Sequence, residues 1–343
     1  MTTPVVPPPL PRSVVPGEWR MPSRDDFARY VETNLTDVMR ELEQARRKML
    51  RPSLLGIPIV LALGALGFFI GKALHVAPAL PYTVGVAALA LMIGRAYLVT
   101  RAYKREFKTR LISPLVKFFG SDFEFAADSF IDSERYRASG IFRKPFTRYS
   151  GQDHIAGSAG KTRFECSEVC AEYETETIDQ KGNRQKSWKT IFSGLFLVAD
   201  FNKAFTGSTW VFPDRLESRL GWLAHKLQEW ELDRPGQLVK LEDPEFEKLF
   251  VVYASDQMVA RYVLSPSLMR RITDYRRNLK HPLWMAFRDG VLYVAIAPGR
   301  DLFEPELLSV VNREQCMSIF DDIAIGLGLI EDLNLNTRIW SKE

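Results

Sequence analysis

The chain contains few cysteines and histidines for its length. Its 343 residues include three cysteines and four histidines. Three cysteines do not make a disulfide framework, and they suit a reducing compartment. Cys166 and Cys170 share a predicted strand face, but no CxxC motif or nearby histidine pair completes a zinc site. The sequence therefore predicts neither a disulfide-stapled domain nor a metal, and it predicts no cofactor.

The chain also lacks a broad excess of charge of one sign. The formal net charge is +4, and the stretches 46–51 and 95–110 together hold ten Lys/Arg residues and one acidic residue. The remainder has 36 basic and 41 acidic residues. A nucleic-acid-binding domain needs a basic face or stripe, so this local excess argues against a nucleic-acid partner.

The first 22 residues lack the apolar stretch of a signal peptide. They contain seven prolines, through which no apolar helix can run. We expect residues 1–22 to form a disordered or polyproline-II-like arm. Residues 7–12 (PPPLPR) also fit a PxxP ligand for an aromatic groove, although proline-rich tails are common without partners.

Residues 23–51 have the pattern of an amphipathic helix. Ser23 and Asp26 form a start that resembles a capping box. The apolar residues that follow are spaced by three or four positions, which is the a/d spacing of a coiled coil. The helix either packs on the protein's own domain or mediates self-association into a homo-oligomer. The self-association surface would consist of Phe27, Val31, Leu35, Val38 and Leu42.

Two long hydrophobic runs are present. Leu54 to Gly71 contains 18 residues without a charge, about 27 Å of helix, and Leu80 to Val99 contains one charge, Arg95, near its end. The sequence predicts a transmembrane hairpin within 52–99, with a buried hairpin of a soluble protein as the alternative. Its partner would be the lipid bilayer.

Basic residues flank both runs, whereas the link between the runs has only Lys72 and a histidine. By the positive-inside rule, both chain ends are expected in the cytosol. The basic residues would lie at the anionic lipid surface. They are Arg46, Arg47, Lys48, Arg51, Arg101, Lys104, Arg105, Lys108 and Arg110.

The stretch GSAGKT (157–162) resembles the end of a nucleotide-binding P-loop. The motif needs a glycine at position 155, which is Ile155, and a helix after the lysine. The continuation, residues 163–173, has the pattern of a strand, with Phe164, Cys166, Val169, Ala171 and Tyr173 broadly on one side and a bulge near Ser167. We therefore predict a strand-to-strand turn at GSAGKT and no nucleotide site.

The remainder, residues 100–343, is predicted to be an α+β domain of antiparallel sheet with packed helices, divisible into subdomains at about 120–235 and 236–343. Helices are expected at 215–230 and from Ser265-Pro266 to Leu279. Strands are expected at 195–200, 250–253, 262–264, 283–287 and 291–297, the last two flanking an Asp289-Gly290 hairpin turn. Clustered hairpins favour antiparallel sheets over a doubly wound fold.

Several strings together resemble DUF3137, a family of bacterial membrane proteins with a domain of unknown function. They are YSGQDHIAG (149–157), FECSEVCAEYE (164–174), FSGLFLVADFNKAF (192–205), KLEDPEFEKLFVVYASDQMVARYVLSPSLMRR (240–271), DLFEP (301–305) and EDLNLNTRIW (331–340). The resemblance implies a bacterial inner-membrane location, and it implies no reaction, cofactor or catalytic set. Some members are encoded beside LemA-type membrane proteins, which implies a LemA-type partner.

Three functions are consistent with the sequence. The first is a membrane-tethered scaffold that docks protein partners. The second is a lipid or small-ligand binding module with a fold resembling a pleckstrin-homology domain, which a deep pocket would favour over a flat apolar patch. The third is an enzyme of an unrecognised class. The polar residues to inspect first, with helix caps and structural ion pairs as the alternative role, are Asp256, Arg261, Asn334, Asn336 and Arg338.

Overall fold

The computed structural model of the chain describes residues 19–73, 79–178, 184–201, 203–214, 236–279 and 281–333. Two compact units divide the chain. Unit 1 comprises residues 1–27, 113–303 and 318–343, and unit 2 comprises residues 28–112 and 304–317. The predicted helix at 215–230 and the residues of the predicted arm before Trp19 lie outside the described residues.

Long helices form most of unit 2. The N-terminal helices are α1 (Arg24–Asn34), α2 (Thr36–Ala73) and α3 (Ala79–Phe107), and a π-helical turn (Lys108–Ile112) joins α3 to α4 (Ser113–Phe119) in unit 1. The predicted capping interaction is confirmed, because the Asp26 amide donates to Ser23 Oγ at 3.1 Å and Ser23 Oγ–H donates to the Asp26 carboxylate at 2.7 Å. Helices α2 and α3 pack against each other.

The prediction of a transmembrane hairpin is wrong. Among the residues that the structure describes, no helix combines the length and the apolar character needed to cross a membrane. The run 54–71 is part of α2 and the run 80–99 is part of α3, and both helices also contain turns with charged residues. The length of the two runs was the basis of that prediction. The predicted inner-membrane location and the predicted topology both depended on these two spans, so those predictions are wrong as well.

The α+β prediction with antiparallel sheet is confirmed in unit 1. Nine strands of the described residues form one sheet in the order β1-β2-β3-β4-β9-β8-β5-β7-β6, and each neighbouring pair is antiparallel. The strands are β1 (Glu124–Ala126), β2 (Arg148–Ala159), β3 (Thr162–Ile178), β4 (Arg184–Asp200), β5 (Ser208–Pro213), β6 (Gln237–Val239), β7 (Phe250–Ala254), β8 (Leu283–Arg288) and β9 (Val291–Ile296). The remaining helices are α5 (Ser133–Ser139), α6 (Pro244–Leu249), α7 (Gln257–Val263), α8 (Pro266–Asn278) and α9 (Arg313–Asp332).

The hairpin predictions hold at both tight turns. GSAGKT spans the end of β2, the turn at Gly160 and Lys161, and the start of β3, with Gly160 at φ 63°. Asp289 and Gly290, at φ 47° and 78°, connect β8 to β9. In the β8–β9 turn both central residues have positive φ, which is typical of the two-residue turns that match the twist of the flanking strands. The lysine of GSAGKT therefore lies in a hairpin turn rather than at the start of a helix.

Two predicted details of the sheet are wrong. The bulge near Ser167 lies in the partner strand, where β2 has the extra residue at Asp153 and His154 and β3 pairs regularly with β4 from Phe164 to Ala171. Phe164 and Cys166 therefore lie on the face opposite Val169, because alternation along β3 is not interrupted. Residues 262–264 are not a strand, since helix α7 extends to Val263. An apolar stretch of three residues is too short for its periodicity to distinguish a strand from a helix.

Aromatic residues form the core on one face of the sheet. Tyr136 of α5 is 1% exposed, and its ring centroid lies 5.3 Å from that of Phe196 on β4. Phe142 stacks on Phe192 at 4.7 Å, and Trp284 of β8 closes the cluster. Buried rings of this size contribute large apolar areas and prefer offset or edge contacts. This core holds the segment 131–146 against the sheet.

Candidate functional site

Several of the predicted lipid-facing basic residues form ion pairs within unit 2. Arg46 is 7% exposed and donates two hydrogen bonds to Glu43, at 2.8 and 2.9 Å, and one to the Leu307 carbonyl at 2.9 Å. Arg47 donates to the same carboxylate at 2.6 Å. These hydrogen bonds, that from Arg46 foremost, lower the pKa of Glu43 to about 2. Both arginines therefore have partners within unit 2.

A second carboxylate of unit 2 holds two more of these residues. Glu304 forms ion pairs with Lys104 and Lys108, each with an N–O distance of 2.8 Å, and Lys108 is 5% exposed. Burial alone would raise the pKa of Glu304, but the hydrogen bonds from the two lysines outweigh it and lower the pKa. Arg110 pairs with Glu41 and Glu106. The other members are exposed, namely Lys48, Arg51, Arg101 and the hydrogen-bonded or paired Arg105.

The predicted self-association residues lie mostly inside the chain. Leu35 is 3% exposed, and Phe27, Val31 and Leu42 are fully buried, whereas Val38 is half-buried. Phe27 packs on Phe320 with ring centroids 4.8 Å apart. This burial within a single chain favours the interpretation that the helix packs on its own protein. Self-association itself stays a prediction.

Five polar residues were selected from the sequence as a candidate site, and the structure describes two of them, Asp256 and Arg261. Asp256 caps α7 by accepting from the Met258 amide at 2.6 Å, and Arg261 donates to the Lys240 carbonyl at 3.5 Å. Both contacts are structural rather than part of a binding site. A structural role was the alternative that the sequence analysis gave for these residues. Asn334, Asn336 and Arg338 lie outside the described residues.

The cysteines and carboxylates form no metal cluster in the described part of the chain. Cys166 and Cys316 are buried, and desolvation raises the pKa of both thiols to about 12. Two acidic residues of the β3–β4 hairpin pair with basic residues across the strands. Lys186 Nζ lies 2.7 Å from Glu174, and Arg184 lies 3.8 Å from Glu176.

Unit 1 contains a basic pocket that the sequence did not single out. The cavity has a volume of about 520 Å³. Four of its lining side chains are cationic, and no aspartate or glutamate occurs among the described residues that line it. The lining residues, called the basic pocket below, are Arg137, Gly140, Phe142, Arg143, Lys144, Pro145, Phe146, Trp210, Gly236 and Arg288.

Aromatic rings support the cations of the basic pocket. The Arg137 guanidinium lies 4.2 Å from the centroid of Phe146, and Lys144 Nζ lies 3.5 Å from that of Tyr173. The Arg288 guanidinium lies 5.8 Å from the Trp210 ring, donates from Nε to Ser208 Oγ at 3.0 Å, and also donates to the Ala138 carbonyl. Cation–π contacts within about 6 Å are attractive. The contacts therefore orient three of the four cations.

Helix α5 and its C-terminal cap contribute Arg137 and Gly140 to the lining of the basic pocket. Asp132 caps the start by accepting from the Glu134 and Arg135 amides, and Gly140 ends the helix in the left-handed conformation at φ 63°. A side chain at position 140 would place its Cβ 3.1 Å from Trp210 Nε1 and 3.3 Å from Arg288 Nη1. Glycine therefore allows both the turn and the close approach of Arg288 and Trp210.

A second cavity, of about 480 Å³, lies beside strands β2 to β4, but its charges are compensated. Glu168 accepts from Gln152 at 2.9 Å and from the Leu302 amide. Arg300 pairs with Asp322, which is largely buried. Burial raises the pKa of Asp322 in spite of that arginine. The described lining of this cavity contains charges of both signs, Glu168 and Asp301 with Arg300, whereas the described charges that line the basic pocket are all positive.

One sequence signal could have revealed part of the basic pocket. The window 137–146 (RASGIFRKPF) has three basic residues, no acidic residue and two phenylalanines after a glycine. Arg288 is 150 positions beyond Ala138, and only the sheet brings it to this wall.

The described residues thus define an α+β protein whose single large antiparallel sheet carries a basic pocket. Residues 190–335 match the family model DUF3137, "Protein of unknown function", so the resemblance seen in the sequence is confirmed there. That match does not bear on a bacterial source or a membrane. The comparisons with curated proteins and with solved structures gave no match.

Proposed function

We propose that unit 1 is a binding module for a small anionic ligand. The observation that carries the proposal is the basic pocket, in which four cations and no described carboxylate line a cavity of about 520 Å³. Small-molecule sites have volumes of about 300–1,000 Å³ and a few convergent polar groups. The sequence offered ligand binding as the alternative to a scaffold, and a pocket rather than a flat apolar patch favours it.

Electrostatics supports the same function. Like charges that share a cavity repel each other, and an anion that enters relieves this repulsion. The apolar floor of Phe142, which is 7% exposed, and Trp210, which is 8% exposed, lowers the local dielectric and strengthens the attraction. Docking of protein partners, including a LemA-type protein, stays a prediction, and so does the enzyme interpretation.

Isothermal titration of the full chain with orthophosphate, citrate and pyrophosphate tests this function. At least one anion should bind, and its affinity should fall about tenfold between ~50 and ~300 mM salt because ions screen the pocket. The double variant Arg143→Gln/Lys144→Gln should lose this binding.

The matched control is Arg184→Gln/Lys186→Gln, which removes two cations from the exposed end of the β3–β4 hairpin, outside the basic pocket. The control should bind as the parent chain does. Absence of binding by every anion, or an equal loss in both double variants, would overturn the proposed function.

A further inference from the structure

Contacts from two elements hold the Arg288 side chain at the basic pocket. Its Nε donates to Ser208 Oγ of β5 at 3.0 Å, and its Nη1 donates to the Ala138 carbonyl near the end of α5. The Trp210 ring centroid lies 5.8 Å from the guanidinium. Among the described residues, the hydrogen bonds of Arg288 use Nε and Nη1, so the N–H groups of Nη2 remain for a ligand of the pocket that this arginine lines.

The pairing of β5 with β8 places Ser208 beside Arg288. The two residues are direct partners in the antiparallel register, so their side chains lie on the same face of the sheet. Trp210 lies two positions further along β5 and therefore on that face as well. Ser208 is buried, its amide donates to Ser255 Oγ at 2.9 Å, and the Ser255 amide donates to the Ser208 carbonyl at 2.9 Å. The Ser208 hydroxyl is therefore an acceptor whose backbone is fixed on both sides.

A fixed acceptor bears on affinity because an arginine side chain has many rotamers. Ordering one such side chain during binding weakens the affinity about two- to tenfold. The Ser208 hydroxyl removes this cost when it holds Arg288 in one orientation before the ligand arrives. The hydroxyl is uncharged, so its loss leaves the charge of the pocket unchanged. Its effect on affinity therefore acts through the orientation of Arg288.

We propose that Arg288 contacts the anion through Nη2 and that Ser208 is the positioning residue that holds Arg288 for this contact. The inference rests on the proposed anion-binding function and adds to it the residue that orients one binding group. It holds for any anion of the pocket, because carboxylates and phosphoryl groups both accept hydrogen bonds from a guanidinium. A serine that served the sheet alone would change stability and would not change affinity through Arg288.

A double-mutant cycle of anion affinity on the full chain tests this role. The probe is whichever of orthophosphate, citrate and pyrophosphate binds the parent chain most tightly in calorimetry. Ser208→Ala should weaken binding about two- to tenfold, and Ser208→Thr, which keeps the hydroxyl, should bind as the parent chain does. Arg288→Lys keeps the charge but has no donor at the place of Nε. In that background Ser208→Ala should cause no further loss, because the cycle isolates the coupling between the two residues.

Thr209→Val is the matched control on the same strand. Thr209 faces the opposite side of the sheet from Ser208, and its Oγ1 has no hydrogen-bond partner among the described residues. Removal of this hydroxyl should leave the affinity for the anion unchanged. Circular dichroism shows whether each variant is folded. If Ser208→Ala does not fold, Ser208→Cys, whose thiol is a weak acceptor, takes its place in the cycle.

The outcomes separate this inference from the function on which it rests. Unchanged affinity in Ser208→Ala would overturn the positioning role and leave anion binding intact. An equal loss from Ser208→Ala in the parent and Arg288→Lys backgrounds would do the same, because the serine would then act independently of the arginine. No binding of any probe to the parent chain would overturn both.

Discussion

At the scale of single residues, Glu43 shows how a charge on a helix surface becomes structural. It accepts hydrogen bonds from Arg46 and Arg47 and from the Val311 amide at 3.2 Å. Its side chain is 12% exposed and that of Arg46 is 9% exposed. A pair this buried differs from a surface ion pair, because the loss of one partner leaves the other charge desolvated.

Glu43→Gln should lower the free energy of unfolding by about 3 kcal/mol, because Arg46 would remain buried without its carboxylate. The matched control is Asp37→Asn on the same helix, whose pair with Arg40 at 2.9 Å has side chains that are 87% and 71% exposed. That change should cost about 0–1 kcal/mol. Urea denaturation measures both, and equal effects would contradict a structural role for Glu43.

The same carboxylate predicts a pH dependence. The folded-state pKa of Glu43, about 2, lies below the value of about 4.3 for an exposed glutamate. A lowered pKa means that the stabilisation is complete above about pH 4.5 and is lost as the pH falls towards 2. The stability difference between the parent chain and Glu43→Gln should therefore narrow over this window; a difference independent of pH would contradict the assignment.

At the scale of elements, the apolar face of α1 and α2 illustrates a pattern with two valid interpretations. Heptad spacing is the same for a helix that packs on its own domain and for one that self-associates. Leu42 is fully buried within the single chain, which favours the first. Periodicity alone did not distinguish them, because it specifies which face is apolar and not what covers that face.

Leu42→Ala should destabilise the chain by about 2–5 kcal/mol, because it leaves a cavity at a buried position. Arg40→Ala on the same helix, with a 71% exposed side chain, is the control and should have little effect. Urea denaturation at several protein concentrations is the measurement. A loss of stability that depends on protein concentration would instead place Leu42 between two chains.

Element identity was predictable where local chemistry was strong. Asp289-Gly290 between two alternating apolar runs predicted the β8–β9 hairpin, and Ser265-Pro266 predicted the start of α8. Where the signal was short or counted only hydrophobicity, the prediction was wrong. Tyr262 and Val263 are helical, and the apolar runs in α2 and α3 were predicted to cross a membrane, which the described helices do not support.

At the scale of the whole molecule, the basic pocket is the feature that sequence reasoning missed. Three of its cations are close together in the sequence, namely Arg137, Arg143 and Lys144. A cluster of three basic residues is ordinary on a protein surface, so it did not indicate a site. Arg288 joins them because β8 lies beside β5 in the sheet and ends next to α5. Long-range pairing of this kind is not encoded in any local pattern.

Ligand binding should be visible in hydrogen exchange. If the basic pocket takes an anion, pyrophosphate should slow amide exchange about tenfold in residues 137–146, where the exchange reports local opening. The exposed end of the β3–β4 hairpin, near Lys186, should exchange at an unchanged rate and serves as the internal control. Uniform slowing over both regions would indicate a general salt effect and not a site.

What the sequence by itself determined is local. Turn chemistry at Gly160 and Asp289-Gly290 and the helix starts at Ser23 and Ser265 depend on residues within a few positions of each other, so their interactions are present in the sequence as neighbours. The antiparallel class followed from the clustering of such hairpins.

Only the tertiary structure decided the order of the nine strands, the pairing of Glu43 and Glu304 with the basic residues of unit 2, and the meeting of Arg288 with Arg137. Each of these depends on which distant segments share a sheet edge or a helix face. The free energies that select among such pairings are sums of many small packing terms, and no single residue carries them.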